Sequence, residues 1–189
     1  MWDKCVKELP KRKPNRLQNY DYSRNGAYFV TVCTKDRHET MGTVVVGDAA
    51  LGVPFVKLSE YGKVVREFIE NIPNANPAVF VPKYVIMPNH IHMILIVELE
   101  NTDGTPRAAS PTKALIPKII NTLKGLSSKK AGFSLWQRSF HDHIIRNETD
   151  CRYIAEYIEN NPVNWEKDCF FRDATCTVTA ALSGKRINQ

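Results

Sequence analysis

The sequence predicts an α+β fold, a ferredoxin-like antiparallel sheet with helices packed on one face. Short runs rich in β-branched and aromatic residues, which favour strands, alternate with segments whose apolar residues recur at spacings typical of amphipathic helices. The resulting order is β, β, α, β, β, α, β, α, which the ferredoxin-like plan accommodates. The chain has 189 residues and no internal repeat, so it corresponds to one domain with elaborations, since a domain averages roughly 150 residues.

The first half of the chain supplies two strands and a helix. Residues 27–34 and 42–46 are rich in valine, threonine and aromatic residues, which predicts strands. From residue 58 to residue 72 apolar side chains recur with helical spacing, and this helix ends before Pro73. The sheet is therefore expected to start early in the chain.

The second half begins with a predicted hairpin. Residues 79–86 and 92–97 are strand candidates, joined by a turn that contains Pro88. A polar loop then leads to a second helix, which is opened by Pro117. Residues 136–145 predict a further strand and turn, so strands from both halves of the chain can pair in one sheet.

Composition and charge narrow the class of protein. The formal net charge is +6, from 26 Lys and Arg against 20 Asp and Glu, which favours an anionic partner such as nucleic acid. Hydrophobic residues make up 43% and charged residues 24%, which excludes disordered and low-complexity classes. The longest apolar stretch, residues 93–97, is far shorter than the about 18 residues of a membrane span, so no membrane partner is expected. No apolar signal core follows the first residues, which predicts a cytoplasmic location.

Three segments are expected along the chain. A basic N-terminal arm covers residues 1–24, the folded domain covers residues 25–165, and a C-terminal tail covers residues 166–189. The arm carries several lysines and arginines and few apolar residues. That composition is typical of a segment that contacts nucleic acid, and a solvated tail is the alternative.

The second helix carries charges of one sign. Lys118, Lys124 and Lys129 lie opposite its apolar side, and no acidic residue interrupts residues 113–130. Solvated helix faces normally mix both signs, so we expect these lysines to contact phosphates. A lysine-rich face that only meets solvent is the alternative.

Four of the five histidines fall into two His-x-His pairs, His90 with His92 and His141 with His143. Residues i and i+2 of a strand project from the same face, so both imidazoles of a pair can converge on one ion. His90 and His92 interrupt an apolar strand, where a polar group without a partner is costly, and we expect them to bind a divalent metal. Hydrogen-bonded structural histidines are the alternative. His141 and His143 have polar neighbours, which favours surface or nucleic-acid contacts.

The run Asn147-Glu148-Thr149-Asp150 supplies capping residues for a third helix. This helix ends near Asn161, because Pro162 disfavours α geometry in the residue before it. Tyr153, Tyr157 and Asn161 share one face of this helix at about 100° per residue. Tyrosines at this spacing are more often boundary residues of a core. A phenol with a pKa near about 10 is mostly protonated at neutral pH, so a nucleophilic tyrosine needs a neighbouring cation or base.

Three motifs occur in order along the chain. They are Tyr-Val-Ile-Met-Pro-Asn-His-Ile-His at residues 84–92, Trp-Gln-Arg-Ser-Phe and Asp-His-Ile-Ile-Arg-Asn-Glu within residues 136–148, and Tyr-Ile-Glu-Asn-Asn-Pro at residues 157–162. Together they resemble the REP-associated tyrosine transposases, which belong to the HUH endonuclease superfamily, named for a His-hydrophobic-His motif. Tyr-Phe-Val-Thr-Val at residues 28–32 is similar to the family's first strand, so the resemblance covers most of the chain.

The resemblance implies a ferredoxin-like fold and cleavage and rejoining of single-stranded DNA through one tyrosine. His90 and His92 match the family's metal-binding pair, which implies Mg²⁺ or Mn²⁺ as cofactor. Tyr157 matches the nucleophile, and Asn161 falls where a polar side chain completes the metal site. His143 matches a recurrent histidine that contacts DNA or supports the active site.

The chain departs from the family pattern at two places. His141 stands where an aromatic residue is usual, so a second metal site is not expected. Trp165 and Asp168 follow Pro162 in place of the commoner Ala-Gly continuation, which leaves the DNA target open.

The resemblance implies a metal-dependent single-strand DNA endonuclease and transposase that forms a 5′-phosphotyrosine at hairpin-forming repeats. We expect single-stranded or hairpin DNA as partner, a monomer or homodimer, and association with the nucleoid. One alternative is a domesticated relative that binds DNA hairpins without cutting them. Another is an RNA-binding ferredoxin-like domain with structural histidines, although an RNP-like sequence is absent. The residues expected to contact DNA are Lys11, Arg12, Lys13, Arg16, Lys118, Lys124, Lys129, Arg138, His143 and Arg146.

Overall fold

The structure is a computed structural model that describes residues 24–46, 52–99, 115–168 and 170, and its centre is a four-stranded antiparallel sheet. The strands are β1 (Gly26–Cys33), β2 (Gly42–Val45), β3 (Phe55–Leu58), β4 (Val79–Ile86), β5 (His90–Val97) and β6 (His141–Ile145). The helices are α1 (Glu60–Glu70), α2 (Ile72–Ala75), α3 (Leu115–Ala131) and α4 (Glu148–Asn160), and short 3-10 turns cover Lys35–Arg37 and Trp165–Lys167. All but the last residue of the predicted basic arm lies outside the described residues.

The order of strands across the large sheet is β4-β5-β1-β6, and β2 pairs with β3 in a separate hairpin. Apart from that hairpin, the one-turn helix α2 and the final helix α4, the chain runs β1, α1, β4, β5, α3, β6, which is the ferredoxin-like pattern. β1 pairs antiparallel with both β5 and β6, so it lies inside the sheet. The predicted α+β class with an antiparallel sheet is confirmed.

Most predicted elements are present with shifted ends. β4 has the predicted bounds, whereas β5 begins at His90, so that both histidines of the first pair lie on the strand. α3 begins at Leu115, ahead of Pro117, because a proline in the first turn of a helix lacks only an N–H that would have no intrahelical partner. β3 and α2 were not predicted, and each has only four residues. No helix in the described part of the chain is long and apolar enough to cross a membrane.

Helices cover both faces of the sheet, which corrects the prediction that they pack on one face. Val30 and Val32 of β1 belong to the larger core, which α1, α2 and α3 share. Phe29 points to the other face, where it packs with Ile154 and Ile158 of α4. Periodicity shows that α4 has an apolar side, but it does not show which face of the sheet that side covers. α4 therefore lies over the sheet face that bears the first histidine pair.

Two helical glycines are expected to respond in opposite directions to alanine. A Cβ at Gly62 in α1 would fall 2.1 Å from the carbonyl oxygen of Met41, so Gly62→Ala must push two backbone segments apart. We expect a loss of about 2 kcal/mol or more in the free energy of unfolding. A Cβ at Gly125 in α3 meets no described atom within 4 Å, so Gly125→Ala is expected to stabilise the helix by up to about 1 kcal/mol. Urea unfolding of both variants checks this, and equal effects would contradict the close approach at Gly62.

Candidate active site

β5 places His90 and His92 side by side on the sheet face that α4 covers. Both side chains are fully buried, and their ring centroids are 4.5 Å apart. In the register with β1, Cys33 lies opposite His90 and Thr31 lies opposite His92. Thr31 is two residues from Phe29, which packs against α4, so the histidines continue the same face. The two imidazoles share one face, as the i, i+2 spacing predicts.

Hydrogen bonds determine which ring nitrogen of His90 carries the proton. The side-chain amide of Asn89 donates to the backbone oxygen of Phe170 at 2.7 Å, which turns Asn89 Oδ1 toward His90 Nδ1 at 2.8 Å. This oxygen can only accept, so His90 Nδ1 donates and His90 Nε2 keeps a lone pair. His90 Nε2 is buried and has no hydrogen-bond partner among the described residues. His92 Nδ1 lies 2.8 Å from the hydroxyl of Thr31, which can accept its proton in the same way.

Asp168 and Asn161 bring oxygen atoms to the histidine pair. Asp168 Oδ2 lies 3.8 Å from His90 Nε2, and its side chain is 3% exposed. The candidate ligand atoms of His90, His92 and Asp168 all lie within 4.8 Å of one another, and we call these three residues the histidine–carboxylate cluster. Asn161 Nδ2 donates to Asp168 Oδ2 at 3.1 Å, while Asn161 Oδ1 is buried without a partner in the described part of the chain.

The donors of the histidine–carboxylate cluster suit a divalent cation. Imidazole nitrogens and a carboxylate oxygen are ligands that hard and borderline divalent ions accept. Burial holds the pKa of His90 well below its ordinary value, so this ring is neutral beside the carboxylate of Asp168. A buried negative charge beside neutral imidazoles is costly unless a cation joins it. The residues present therefore fit a bound metal ion.

Aromatic rings enclose the cluster. The ring of Phe170 lies 4.5 Å from that of His90, and the indole of Trp165 lies 6.0 Å from it. Phe29 stacks on His92 with 5.2 Å between ring centroids. These rings exclude water, and the resulting burial lowers the pKa of His92 to about 3.

The metal-free protein is expected to lose stability as the pH falls below about 6.5. In the unfolded chain a histidine titrates near 6.5, whereas burial lowers the pKa of His92 in the folded protein to about 3. Between these values the unfolded chain binds the extra proton, so the free energy of unfolding falls by about 1 kcal/mol per pH unit for this residue as the pH decreases. His90 acts in the same direction. Urea unfolding in a chelator at several pH values measures the slope, and an unchanged slope in His92→Gln would contradict this origin.

α4 carries Tyr157 to the edge of the cluster. The hydroxyl of Tyr157 lies 3.4 Å from His92 Nε2, and the two ring centroids are 5.2 Å apart. The ring of Tyr157 also packs edge-on against Phe29. Tyr153, one turn earlier on the helix, is 52% exposed. Of the two tyrosines on this helix face, Tyr157 is the one beside the histidines.

The first turn of α4 is fastened to β6. Asn147 caps the helix by accepting a hydrogen bond from the backbone N–H of Asp150 at 2.8 Å. The carboxylate of Asp150 in turn lies 3.0 Å from Nε2 of His143 on β6. Ile154 and Ile158 then pack into the smaller core. His143 therefore helps to orient the helix that carries Tyr157.

The lysines of α3 lie on the far side of the sheet from the cluster, because α3 packs into the larger core. Lys118 and Lys129 are exposed. The ammonium of Lys124 instead donates to the backbone oxygens of Arg138 and Ser139, both at 3.1 Å. Lys124 thus ties α3 to the segment before β6 and differs from the other two lysines.

The remaining predicted contacts fall in three places. Arg138 precedes β6 and Arg146 follows it, and both side chains are exposed. His141 pairs with Thr31 on the sheet face that carries His90 and His92. Among the described residues, the group that could hold a metal ion does not include His141. The contacts predicted on the arm lie outside the described residues, and they are Lys11, Arg12, Lys13 and Arg16.

Sequence reasoning missed the contribution of Asp168 and Phe170, because both fall in the segment predicted to be a tail. The available signal was Phe170, five residues beyond Trp165, because a large aromatic residue is unusual in a solvated tail. Both of these side chains are buried. Buried aromatic residues indicate that the folded unit continues past residue 165.

Three bacterial proteins are similar to this chain over most of its length, although no protein-family model matches it. An uncharacterized Haemophilus influenzae protein is 33% identical over 177 residues, which cover 86% of this chain and 94% of that protein. A second H. influenzae protein, provisionally named a REP-associated tyrosine transposase, is 24% identical over 177 residues. That match covers 86% of this chain and 90% of the second protein. The REP-associated tyrosine transposase of Escherichia coli K12 is 25% identical over 161 residues, which cover 80% of this chain and 81% of that protein. Two of these relatives carry the name of the family that the three sequence motifs resemble.

A solved structure shows the same fold for this family. A REP-associated tyrosine transposase bound to a REP hairpin matches with a TM-score of 0.55 and 22% identity. The match covers 79% of this chain and 73% of the solved chain. The fold that the family resemblance implies is therefore confirmed.

Proposed function

We propose that this protein is a REP-associated tyrosine transposase, a metal-dependent single-strand DNA endonuclease that cleaves and rejoins DNA through a phosphotyrosine at Tyr157. One observation carries the proposal. The hydroxyl of Tyr157 lies 3.4 Å from His92 Nε2, at the edge of a buried cluster whose donors suit a divalent cation. A phenol needs such a neighbour to react as a nucleophile at neutral pH.

His90, His92 and Asp168 are the residues that would hold the metal, with Asn161 Oδ1 as a further donor. The oxygens of Asp168 and Asn161 are of the kind that Mg²⁺ and Mn²⁺ favour, and the two imidazoles would complete the mixed set. When bound, the ion supplies Lewis-acid polarisation of a phosphate oxygen. Asp168 is thereby added to the ligand set that the sequence predicts, and Asn161 also orients Asp168 through its amide N–H.

The reaction that these residues support is a transesterification. Tyr157 Oη forms a bond to the scissile phosphorus while the bond from phosphorus to the 3′ oxygen breaks, and the phenol proton is balanced by the proton gained at the 3′ hydroxyl. The products are a 5′-phosphotyrosine and a free 3′ end. Attack by the 3′ hydroxyl of a second end restores the phenol and rejoins the strand. Because the ester bond energy is kept in the phosphotyrosine, rejoining needs no ATP.

Hairpin-forming repeats are the proposed target. The solved relative is bound to a REP hairpin, and this chain carries a net charge of +6 that favours a nucleic-acid partner. The exposed cations Lys118, Lys129, Arg138 and Arg146 would contact the DNA backbone, together with the predicted arm. Location with the nucleoid in the cytoplasm, and a monomer or homodimer, stay predictions.

End-labelled DNA tests the proposal. Single strands that contain a hairpin-forming repeat, labelled at the 5′ or the 3′ end, are incubated with protein and Mn²⁺ and separated under denaturing conditions. A 5′-phosphotyrosine keeps the 3′ label on the protein and releases the 5′ label as a shorter strand, and a chelator prevents both. Retention of the 5′ label would contradict the proposed polarity. Binding of the hairpin without cleavage of either strand would favour the non-cleaving alternative.

A further inference from the structure

The turn after β1 holds two consecutive residues in the left-handed region of backbone space. Asp36 has φ 52° and Arg37 has φ 56°. Aspartate tolerates this conformation, whereas arginine adopts it rarely, so the surrounding structure must hold Arg37 there. The hydroxyl of buried Thr34 lies 2.8 Å from the backbone oxygen of His38 and 3.0 Å from that of Asn89. These contacts fasten the turn to the start of β5.

The guanidinium of Arg37 lies at the edge of the histidine–carboxylate cluster. Its central carbon is 5.0 Å from the centre of the Phe170 ring, and that ring is 4.5 Å from the ring of His90. The charge of Arg37 also acts on His141, whose pKa is lowered mainly by burial. The strained turn and the ring of Phe170 therefore position the positive charge of Arg37 beside the histidine–carboxylate cluster.

We propose that Arg37 binds the phosphate that Tyr157 attacks and is therefore a catalytic residue. This inference rests on the proposed function, because it requires a phosphodiester beside Tyr157. A guanidinium remains charged at any physiological pH, and its planar donors match two oxygens of one phosphate. Beside the apolar ring of Phe170 water screens this charge poorly, so it stabilises the negative charge that grows on the phosphate oxygens during the attack.

A structural role for Arg37, packing against Phe170 to support the cluster, is the competing explanation. The two roles differ in their dependence on the charge of the substrate. A phosphate-binding group matters only when the phosphate at the cleavage position is charged. A packing group matters equally for a charged phosphate and for a neutral methylphosphonate at the same position.

The test compares Arg37→Asn with wild type on two strands that differ only at the cleavage position, one with the normal phosphate and one with a methylphosphonate. Asparagine tolerates positive φ, so the turn is kept while the charge is removed. On the normal strand we expect a rate of adduct formation about 100-fold below wild type. On the methylphosphonate strand the two proteins should react at similar rates. Arg37→Lys should lie between them, because it keeps the charge but loses the planar donors.

Lys35→Ala is the matched control, since Lys35 is an exposed cation on the same turn. It should slow both strands equally and only slightly. A deficit of Arg37→Asn that is equal on both strands would overturn the inference in favour of packing. A wild-type rate for Arg37→Asn, in a protein whose wild type forms the adduct, would overturn it and leave the proposed function standing.

Equilibrium binding in a chelator gives a readout that does not need cleavage. A single methylphosphonate is moved along the strand, and the loss of affinity of the metal-free wild type is recorded at each position. We expect one position where this loss disappears in Arg37→Asn but not in Lys35→Ala. If wild type forms no adduct but this binding result is found, the phosphate contact of Arg37 stands and the proposed function is contradicted. The same losses at every position in both variants would overturn the contact.

Discussion

Tyr157→Phe is expected to abolish the covalent adduct with DNA, while Tyr153→Phe forms it at nearly the wild-type rate. Phenylalanine keeps the ring packing against His92 and Phe29 but has no oxygen to form the phosphoester. We expect the single-turnover rate to fall by about 10⁴-fold or more. Tyr153 lies on the same helix but is 52% exposed, so its hydroxyl is not held beside the histidines. Denaturing gels of labelled strands measure both rates.

Binding of hairpin DNA is the control for these two variants. Neither substitution removes a charge, so both should bind the hairpin with wild-type affinity. An adduct formed by Tyr157→Phe at the wild-type rate would show that another residue is the nucleophile. Loss of the adduct in Tyr153→Phe alone would show that Tyr153, one turn earlier on α4, is the nucleophile.

Asp168→Asn is expected to weaken Mn²⁺ binding by at least about 100-fold. The substitution keeps the size of the side chain and an oxygen that can accept from the N–H of Phe170, but it removes the negative charge from the cluster. The new amide N–H₂ replaces the oxygen that accepts from Asn161, so the Asn161 amide must turn over and accept through Oδ1. The carboxylate is buried beside neutral imidazoles, so the metal-free variant should be as stable as wild type or more stable. Titration of Mn²⁺ by calorimetry, with urea unfolding in a chelator, measures both quantities.

Asp150→Asn is the matched control for the metal measurement. Asp150 also pairs with a histidine, His143, but it lies outside the histidine–carboxylate cluster. Its replacement should leave the affinity for Mn²⁺ unchanged. If Asp168→Asn destabilises the metal-free protein and binds Mn²⁺ as wild type does, Asp168 is a structural residue.

The elements of the fold were largely predictable because their signals are local. β1 and β5 are dense in β-branched residues, and α1 and α4 have apolar residues at helical spacing. β3 escaped prediction because it has four residues and none of them is buried. The face that α4 covers was predicted wrongly, since an amphipathic pattern names the buried side of a helix but not the surface that buries it.

The candidate site was likewise predictable only where its signals are local. The pairing of His90 with His92 follows from the period of a strand, and Tyr157 was indicated by the family motif. Asp168 lies 3.8 Å from His90 although many residues separate them in the chain, and no local pattern encodes that distance. Lys124 looked equivalent to Lys118 in sequence, but the neighbouring carbonyl groups that bind its ammonium come from another segment.

Mass spectrometry of the trapped adduct tests the central claim most directly. Wild-type protein is reacted with a hairpin-flanked single strand and Mn²⁺, the DNA is trimmed with nuclease, and the tryptic peptide of residues 153–167 is fragmented. This peptide contains both tyrosines of the α4 face, so the fragment ions must distinguish them. The account predicts a nucleotide 5′-phosphate attached to Tyr157. Attachment to Tyr153 or to another residue, or cleaved DNA without a covalent adduct, would contradict it.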